Sequence, residues 1–237
     1  MTKDLQIIKK LQSKFGEFEY KLNNNKEVTD LELDDKGVET KDLKLIGELT
    51  SLEELCLNSN NITKIQGLEK LTSLDWLELE SNQISKIQGL DKLTQLRYID
   101  LDCNNITEIQ GLNNLVNLGE LNLSYNNITT IQGLDKLTSL KSLELNNNNI
   151  TKIQGLEKLT SLDWLTLEYN KIIEIKGLEN LNKLRVLDLS SNKITEIKGL
   201  DKLASLEELK LYVNKIPKSQ IKEFQANHPK ITIYINS

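Results

Sequence analysis

A 22-residue repeat runs through most of the chain. Eight units follow the pattern LxxLxLxxNxIxxIxGLxxLxx, with asparagine at the ninth position of every unit, and the last unit is cut short. One unit of this length cannot bury its own leucines, so the fixed spacing predicts stacked units that share one continuous core. The units begin at Leu52, Leu74, Leu96, Leu118, Leu140, Leu162, Leu184 and Leu206.

The order of residues inside a unit predicts its local structure. Side chains alternate along a strand, so the leucines of LxL point inward and the residue between them points outward. The later apolar residues, such as Ile65, Leu68 and Leu71, close the back of the same core layer. Gly67 and its equivalents mark a tight turn where a Cβ would collide or where φ is positive. The repeated asparagines are expected to bond backbone groups of adjacent turns and to form a ladder.

These residues resemble the leucine-rich repeat family. The IxxIxGLxxLxxL form is most similar to the subfamily typified by a regulatory subunit of type 1 protein phosphatase, and the bacterial internalins have a similar unit. The resemblance covers residues 28–216. It implies an α/β repeat fold, a right-handed curved solenoid with a parallel β-sheet on the concave face and short turns or 3-10 helices on the convex face. It also implies a globular partner gripped along the concave face, although no residue identifies a phosphatase as that partner.

The N-terminal end of the solenoid is expected to be covered by a helical cap at residues 1–27. Its apolar residues are spaced as one face of a helix. Residues 28–51 form a degenerate unit in which Lys36 replaces the asparagine. The apolar residues of the predicted helix face are Leu5, Ile8, Leu11 and Phe15.

A C-terminal cap is expected at residues 217–237. Pro217 breaks the repeat, and Ser219 is predicted to N-cap a short helix that ends near Asn227. The segment ITIYI alternates as a final strand. We interpret His228, in this cap, as a structural or surface residue without a ligand role.

Composition argues against an enzyme. The single histidine and two cysteines supply neither a nucleophile–base pair nor a Cys/His metal set. The paired carboxylates of Glu78 and Asp100 are expected on an open, wet surface that would not shift their pKa values. An acidic strip could hold Ca²⁺ weakly, but no loop spacing concentrates the ligands. We therefore predict no enzymatic activity, no metal and no cofactor.

The remaining bulk properties bear on compartment and partners. Cys56 and Cys103 lie two repeats apart at different phases, too far apart to pair, so they are predicted to be free thiols. Free thiols favour a cytoplasmic location, and a secreted effector or a cell-surface protein is the alternative. The net charge of −5 gives no reason to bind nucleic acid, and no apolar run is long enough for a membrane span. We expect a monomer.

The variable positions predict where function lies. Positions 2, 3, 5, 7 and 8 of each unit are expected on the concave face. Every aromatic residue between Leu52 and Lys215 falls at one of them, and exposed aromatics on a rigid platform are typical of protein-binding hot spots. These candidate binding residues are Trp76, Tyr98, Tyr125, Trp164, Tyr169 and Tyr212.

The same positions are acidic. They carry fourteen carboxylates and four cations, a net charge of −10 against −5 for the whole chain. Like charges on adjacent strands repel, so this charge costs stability and favours a basic partner. The charged candidates for partner binding are Glu78, Glu80, Asp100, Asp102, Glu144, Glu168, Asp188, Arg97 and Arg185.

Both tryptophans occur in one duplicated block. Residues 63–79 and 151–167 differ only at Glu78 and Thr166 and lie 88 residues apart, which is four repeats. The second tryptophan is therefore interpreted as an inherited copy. The predicted function is a non-enzymatic protein-interaction scaffold that binds a basic protein partner and could regulate a partner enzyme. The alternative is an adhesin or effector module that stacks glycans or host-surface ligands on its Trp and Tyr residues.

Overall fold

The structure is a computed structural model that describes residues 2–236. Within these residues eleven strands form one sheet, and their spatial order is their order along the chain. Strand β1 (Tyr20–Leu22) is antiparallel to β2 (Val28–Glu32), and every later strand is parallel to the one before it. This arrangement confirms the predicted solenoid with a parallel sheet.

Each of the eight units contributes one three-residue strand at its positions 3 to 5. The strands pair position for position, so that Trp76 lies opposite Tyr98 and Glu78 opposite Asp100. Equivalent positions consequently form straight rows across the face of the sheet. The strands are β3 (Glu54–Cys56), β4 (Trp76–Glu78), β5 (Tyr98–Asp100), β6 (Glu120–Asn122), β7 (Ser142–Glu144), β8 (Trp164–Thr166), β9 (Val186–Asp188) and β10 (Glu208–Lys210).

The core is a single aliphatic layer behind this sheet. The consensus leucines and isoleucines point into it, and Leu55, Leu57 and Ile62 of the first unit are completely buried. Phe224 is the aromatic residue of the core, and it comes from the C-terminal cap. Equivalent side chains of successive units stack on one another, so each unit is stabilised by its contacts with the units beside it.

The repeated asparagines form the predicted ladder. The side-chain oxygen of Asn126 accepts a hydrogen bond from the Ile106 N–H at 2.9 Å. Its side-chain nitrogen donates to the carbonyls of Leu101, Leu123 and Ser124 at 2.8–3.2 Å. Each asparagine thus satisfies buried backbone groups of its own unit and of the unit before it.

The glycine that recurs in each complete unit has both predicted properties, a positive φ and a site where a Cβ would collide. Gly89 has φ +75°, a left-handed conformation that penalises a Cβ. A Cβ placed there would also lie 2.3 Å from the Ile65 carbonyl oxygen of the preceding unit. The glycines therefore allow successive turns to approach each other at backbone contact distance.

The convex side of the complete units consists of turns. A 3-10 helix (Thr40–Asp42) and a short helix α2 (Leu43–Ile46) occur only in the degenerate unit. Leu43 and Ile46 are completely buried and anchor this segment to the core.

The N-terminal cap is only partly helical, so the prediction of a helical cap over residues 1–27 was incomplete. Helix α1 (Lys3–Phe15) has Thr2 as its N-cap, and it buries Ile7, Ile8 and Leu11. Strand β1 then adds to the edge of the sheet. Three residues are too few to show a strand period in the sequence.

The C-terminal cap has the predicted order but a different helix start. Helix α3 (Lys218–Asn227) follows Pro217, which is its extended N-cap residue and offers no side-chain acceptor. Ser219 lies inside the helix, so its prediction as the N-cap was wrong. The His228 ring stacks on Phe224, and β11 (Thr232–Tyr234) is the predicted final strand. Among residues 2–236 no helix is long and apolar enough to cross a membrane.

Candidate functional site

The concave face is built from the rows at positions 3, 5 and 7. Position 8 differs, because every residue there has a positive φ, for example 48° at Tyr125 and 52° at Tyr169. The chain leaves the sheet at this point. Tyr125 and Tyr169 lie in this part of their units, beyond the three-residue strands, and are more than half exposed.

Trp76 and Tyr98 form a stacked aromatic pair on strands β4 and β5. Their ring centroids are 3.6 Å apart and their planes differ by 10°. The Trp76 indole N–H donates to Glu78 Oε1 at 2.7 Å, and the Tyr98 hydroxyl donates to Asp100 Oδ2 at 3.2 Å. Each ring is thereby fixed by a carboxylate on its own strand. Strand β6 follows in the next unit. We call the residues at positions 3, 5 and 7 of the three units that contain β4, β5 and β6 the first patch: Trp76, Glu78, Glu80, Tyr98, Asp100, Asp102, Glu120, Asn122 and Ser124.

The first patch and its neighbour Glu144 are strongly acidic. Burial raises the pKa of Glu80, and the charges of Asp100, Asp102 and Glu78 raise it further. Burial likewise raises the pKa of Glu144, which also feels Asp100, Asp102 and Glu120. These carboxylates repel one another across adjacent strands.

Asp100 contradicts the expectation of an open, wet surface. Burial raises the pKa of its carboxyl, although hydrogen bonds from the Asp102 N–H, the Asn122 amide and the Tyr98 hydroxyl act in the opposite direction. The stacked rings and neighbouring side chains exclude water from this part of the sheet. The prediction of an unshifted Asp100 was therefore wrong.

The second copy of the block has a different environment. We call the residues 88 positions later the second patch: Trp164, Thr166, Glu168, Val186, Asp188, Ser190, Glu208, Lys210 and Tyr212. Lys210 Nζ lies 5.8 Å from the centroid of the Trp164 ring and 3.7 Å from Asp188 Oδ2. Val186 replaces Tyr98 beside the tryptophan, and Thr166 replaces Glu78. The two tryptophans therefore have nearly the same flanking sequence but different chemical surroundings.

The two predicted arginines lie at the margin of the face and are engaged with acidic neighbours. Arg97 Nε lies 3.4 Å from Asp75 Oδ1. Arg185 donates to both carboxylate oxygens of Glu207 at 3.1 and 2.8 Å. Because these pairs are exposed, each contributes little to stability and remains able to exchange partners.

Sequence reasoning missed several residues that share this face. Tyr234 of the cap lies beside Tyr212, with ring centroids 6.4 Å apart. Asp30 and Glu32 extend the rows of positions 3 and 5 onto β2. The alternation of Asp30 and Glu32 with the buried leucines of the degenerate unit could have predicted their position on the face. Tyr234 lies in the C-terminal cap, outside the repeats, so the repeat pattern could not predict its position.

The cysteines are separate thiols, and no metal centre is found in the described part of the chain. Cys56 and Cys103 are free, as predicted. Burial and the nearby charges of Glu78 and Asp34 raise the pKa of the Cys56 thiol to about 12, which keeps it protonated at neutral pH. Within residues 2–236 no group of three or more His, Cys, Asp or Glu side chains is placed to hold a metal ion.

Neutralising Glu144 is expected to stabilise the protein at neutral pH. A raised native pKa means that the native state binds more protons than the unfolded state, so stability falls as pH rises through this range. Glu144→Gln mimics the protonated form and is expected to raise the free energy of unfolding by about 0.5 kcal/mol at low salt. Urea titrations at pH 7 and pH 3 measure this, and the gain should disappear at pH 3. Glu108→Gln, outside the sheet, is the control, and an equal gain there would contradict the argument.

Family models match the region of the chain that contains the 22-residue units. A family model for paired leucine-rich repeats matches residues 72–114, 116–158, 160–202 and 182–226, and a second model for the leucine-rich repeat matches residues 26–84. Together these matches cover most of the chain. The chain belongs to the leucine-rich repeat family. No curated protein matches the sequence.

Solved structures of other leucine-rich repeat proteins share this fold. Internalin C2 of Listeria monocytogenes is 24% identical, with a TM-score of 0.63 over 98% of this chain and 93% of that one. An internalin F from the same species is 23% identical, with a TM-score of 0.55 over 88% and 82%. A leucine-rich repeat protein of Leptospira interrogans is 28% identical, with a TM-score of 0.68 over 86% and 60%. Proteins of this family typically serve as interaction modules.

Proposed function

We propose that this leucine-rich repeat protein is a scaffold that binds a protein partner with a basic patch through its concave face. The observation that supports this most is the stacked Trp76–Tyr98 pair within a group of carboxylates. Aromatic rings anchor protein interfaces by burying a large area at low entropic cost. The surrounding charge favours a cationic surface and raises its association rate. Regulation of a partner enzyme is one outcome of such binding.

Removal of both tryptophans is expected to abolish partner capture. In this experiment the intact protein and a Trp76→Ala, Trp164→Ala variant are used for affinity purification followed by mass spectrometry. Truncation of a central aromatic residue typically costs 2 kcal/mol or more, which corresponds to a loss of about thirtyfold in affinity. Circular dichroism checks that the variant remains folded.

A matched control uses apolar residues outside the sheet that are more exposed than the tryptophans. Val116 and Ile173 are 49% and 57% exposed, and their replacement by alanine should leave capture unchanged. Partners that are retained by the folded tryptophan variant at full strength would refute the proposal.

The alternative of glycan binding uses the same rings differently. A sugar stacks on an open aromatic face and usually needs a deeper pocket than a sheet provides. Tyr98 covers one face of Trp76, and the Trp76 N–H is already bound to Glu78. These contacts favour the protein-binding proposal, and binding to a glycan array would support the alternative.

A further inference from the structure

We infer that the first patch receives a lysine or arginine side chain from the protein partner, whereas the second patch is already occupied by the chain's own Lys210. This inference rests on the proposed function and identifies which copy of the duplicated block recognises the partner. It follows from a comparison of the two copies within one molecule.

The second patch shows how a cation fits this surface. Lys210 Nζ is 5.8 Å from the Trp164 ring centroid, within the distance for a cation–π interaction. The same nitrogen is 3.7 Å from Asp188 Oδ2. The lysine therefore uses one aromatic ring and one carboxylate, and both have counterparts 88 residues earlier in Trp76 and Asp100.

The first patch has a tryptophan and an aspartate at the same positions, without the lysine. Asn122 stands at the position equivalent to Lys210, and it is neutral and shorter. Its amide nitrogen donates to Asp100 Oδ2 at 3.3 Å, which leaves the negative charge of Asp100 uncompensated. Asn122 also lies between Asp100 and Glu144 in the row of position 5. A cation above Asn122 would thus have a carboxylate on each side.

The charge of the two patches differs accordingly. The first patch carries five carboxylates and no cation, and the second carries three carboxylates and Lys210. The pKa of Glu168 in the second patch is raised by burial and by Asp188 but lowered by Lys210. No lysine or arginine is among the main influences on Glu80, Asp100 and Glu144, whose pKa values are all raised. The first patch therefore has two more carboxylates than the second and lacks the lysine that partly balances the charge there.

Unpaired polar atoms in the first patch provide an independent indication of a ligand. Ser124 is 4% exposed, and its hydroxyl oxygen has no hydrogen-bond partner among the described residues. Asp102 Oδ1, in the same row of position 7, is also buried and unpaired there. Buried polar groups without partners are uncommon and cost stability. The second patch also has two unpaired buried atoms, the hydroxyls of Ser190, the counterpart of Asp102, and Thr166, the counterpart of Glu78, but neither carries a charge.

The aromatic contact in the first patch involves Tyr98. Lys210 belongs to a unit on the C-terminal side of Trp164. On that side of Trp76 the Tyr98 ring is stacked in place of Val186. A partner cation therefore meets the Tyr98 side of the stack together with Asp100, Asp102 and Glu144. Arginine and lysine both satisfy this arrangement, since each pairs with carboxylates and with aromatic rings.

Exchange of the two position-5 residues tests the inference. Fluorescein-labelled tetralysine is the probe, and its anisotropy at low salt reports affinity and stoichiometry. The intact protein is expected to bind one equivalent. Asn122→Lys supplies an internal lysine to the first patch and should weaken binding by about fivefold or more, the loss of one cation–π contact and one ion pair. Lys210→Asn vacates the second patch and should raise the stoichiometry to two.

Controls with matched charge separate the site from the net charge. Asn127→Lys adds the same charge outside the sheet, and Lys202→Asn removes the same charge there. Both should bind like the intact protein, and tetralysine acetylated on its side chains should not bind. Equal effects of Asn122→Lys and Asn127→Lys, or no tetralysine binding to the intact protein, would overturn the inference. If the exchange has no effect while the tryptophan variant loses its partner, the proposed function stands and this inference fails.

Discussion

Replacing Gly111 by alanine is expected to lower the free energy of unfolding by at least about 2 kcal/mol. Gly111 has φ +72°, and the left-handed conformation costs an alanine about 1–2 kcal/mol. The new Cβ would also lie 2.5 Å from the Ile87 carbonyl oxygen. This oxygen is backbone, so the two turns must separate to relieve the contact. Urea denaturation followed by circular dichroism measures the change.

Gly119 provides a matched control in the next unit. A Cβ there would lie 3.5 Å from the Arg97 carbonyl oxygen, an ordinary contact, and its φ is not in the left-handed region. Gly119→Ala is expected to be neutral or to stabilise by about 0.5 kcal/mol, because alanine restricts the unfolded chain. Similar losses for the two variants would mean that backbone approach is not the reason for the repeated glycine.

Replacing Asn126 by alanine is expected to cost about 3 kcal/mol. The change removes the acceptor for the Ile106 N–H and the donor to three carbonyl oxygens. An unsatisfied buried backbone group costs about 1–3 kcal/mol, and not all four groups can find new partners. Chemical denaturation provides the measurement.

The control for this variant is the next residue, Asn127. Its side chain is exposed, so Asn127→Ala should change the free energy of unfolding by less than about 0.5 kcal/mol. Unchanged stability of Asn126→Ala would contradict the role of the ladder. A loss that is equal for both variants would indicate an effect of composition instead of buried hydrogen bonds.

The architecture could be predicted from the sequence because the same pattern of apolar, asparagine and glycine residues occurs in eight units, the last of which is cut short. Each LxL placed a strand, and each asparagine and glycine marked a backbone contact that the structure confirms. Each cap occurs only once, so its sequence could not be compared with further copies to locate the ends of its helix and strand. The helix start was therefore assigned to Ser219 instead of Pro217, and strand β1 was missed.

The rows of the candidate site could also be predicted, but their chemistry could not. Strand phase placed Trp76, Tyr98 and Asp100 on one face, and the register brings them together. It could not reveal the stacking of the rings, because that depends on side-chain rotamers. Nor could it show that Lys210 reaches across two strands to Trp164. Position 8 was counted with the face as a variable position, but it lies beyond the strand, and nothing in the sequence indicated that every residue there has a positive φ.

The uninterrupted register from β2 to β11 has a consequence for how this molecule can change its length. Every strand in that range pairs with its neighbour at equivalent positions, without a bulge. Removing or inserting a whole 22-residue unit therefore leaves every unit in contact with neighbours of the same kind. Inserting a single residue instead exchanges the inward and outward side chains of its strand. The 88-residue spacing between the two tryptophans is a multiple of that unit. For this fold, large steps in length are better tolerated than small ones.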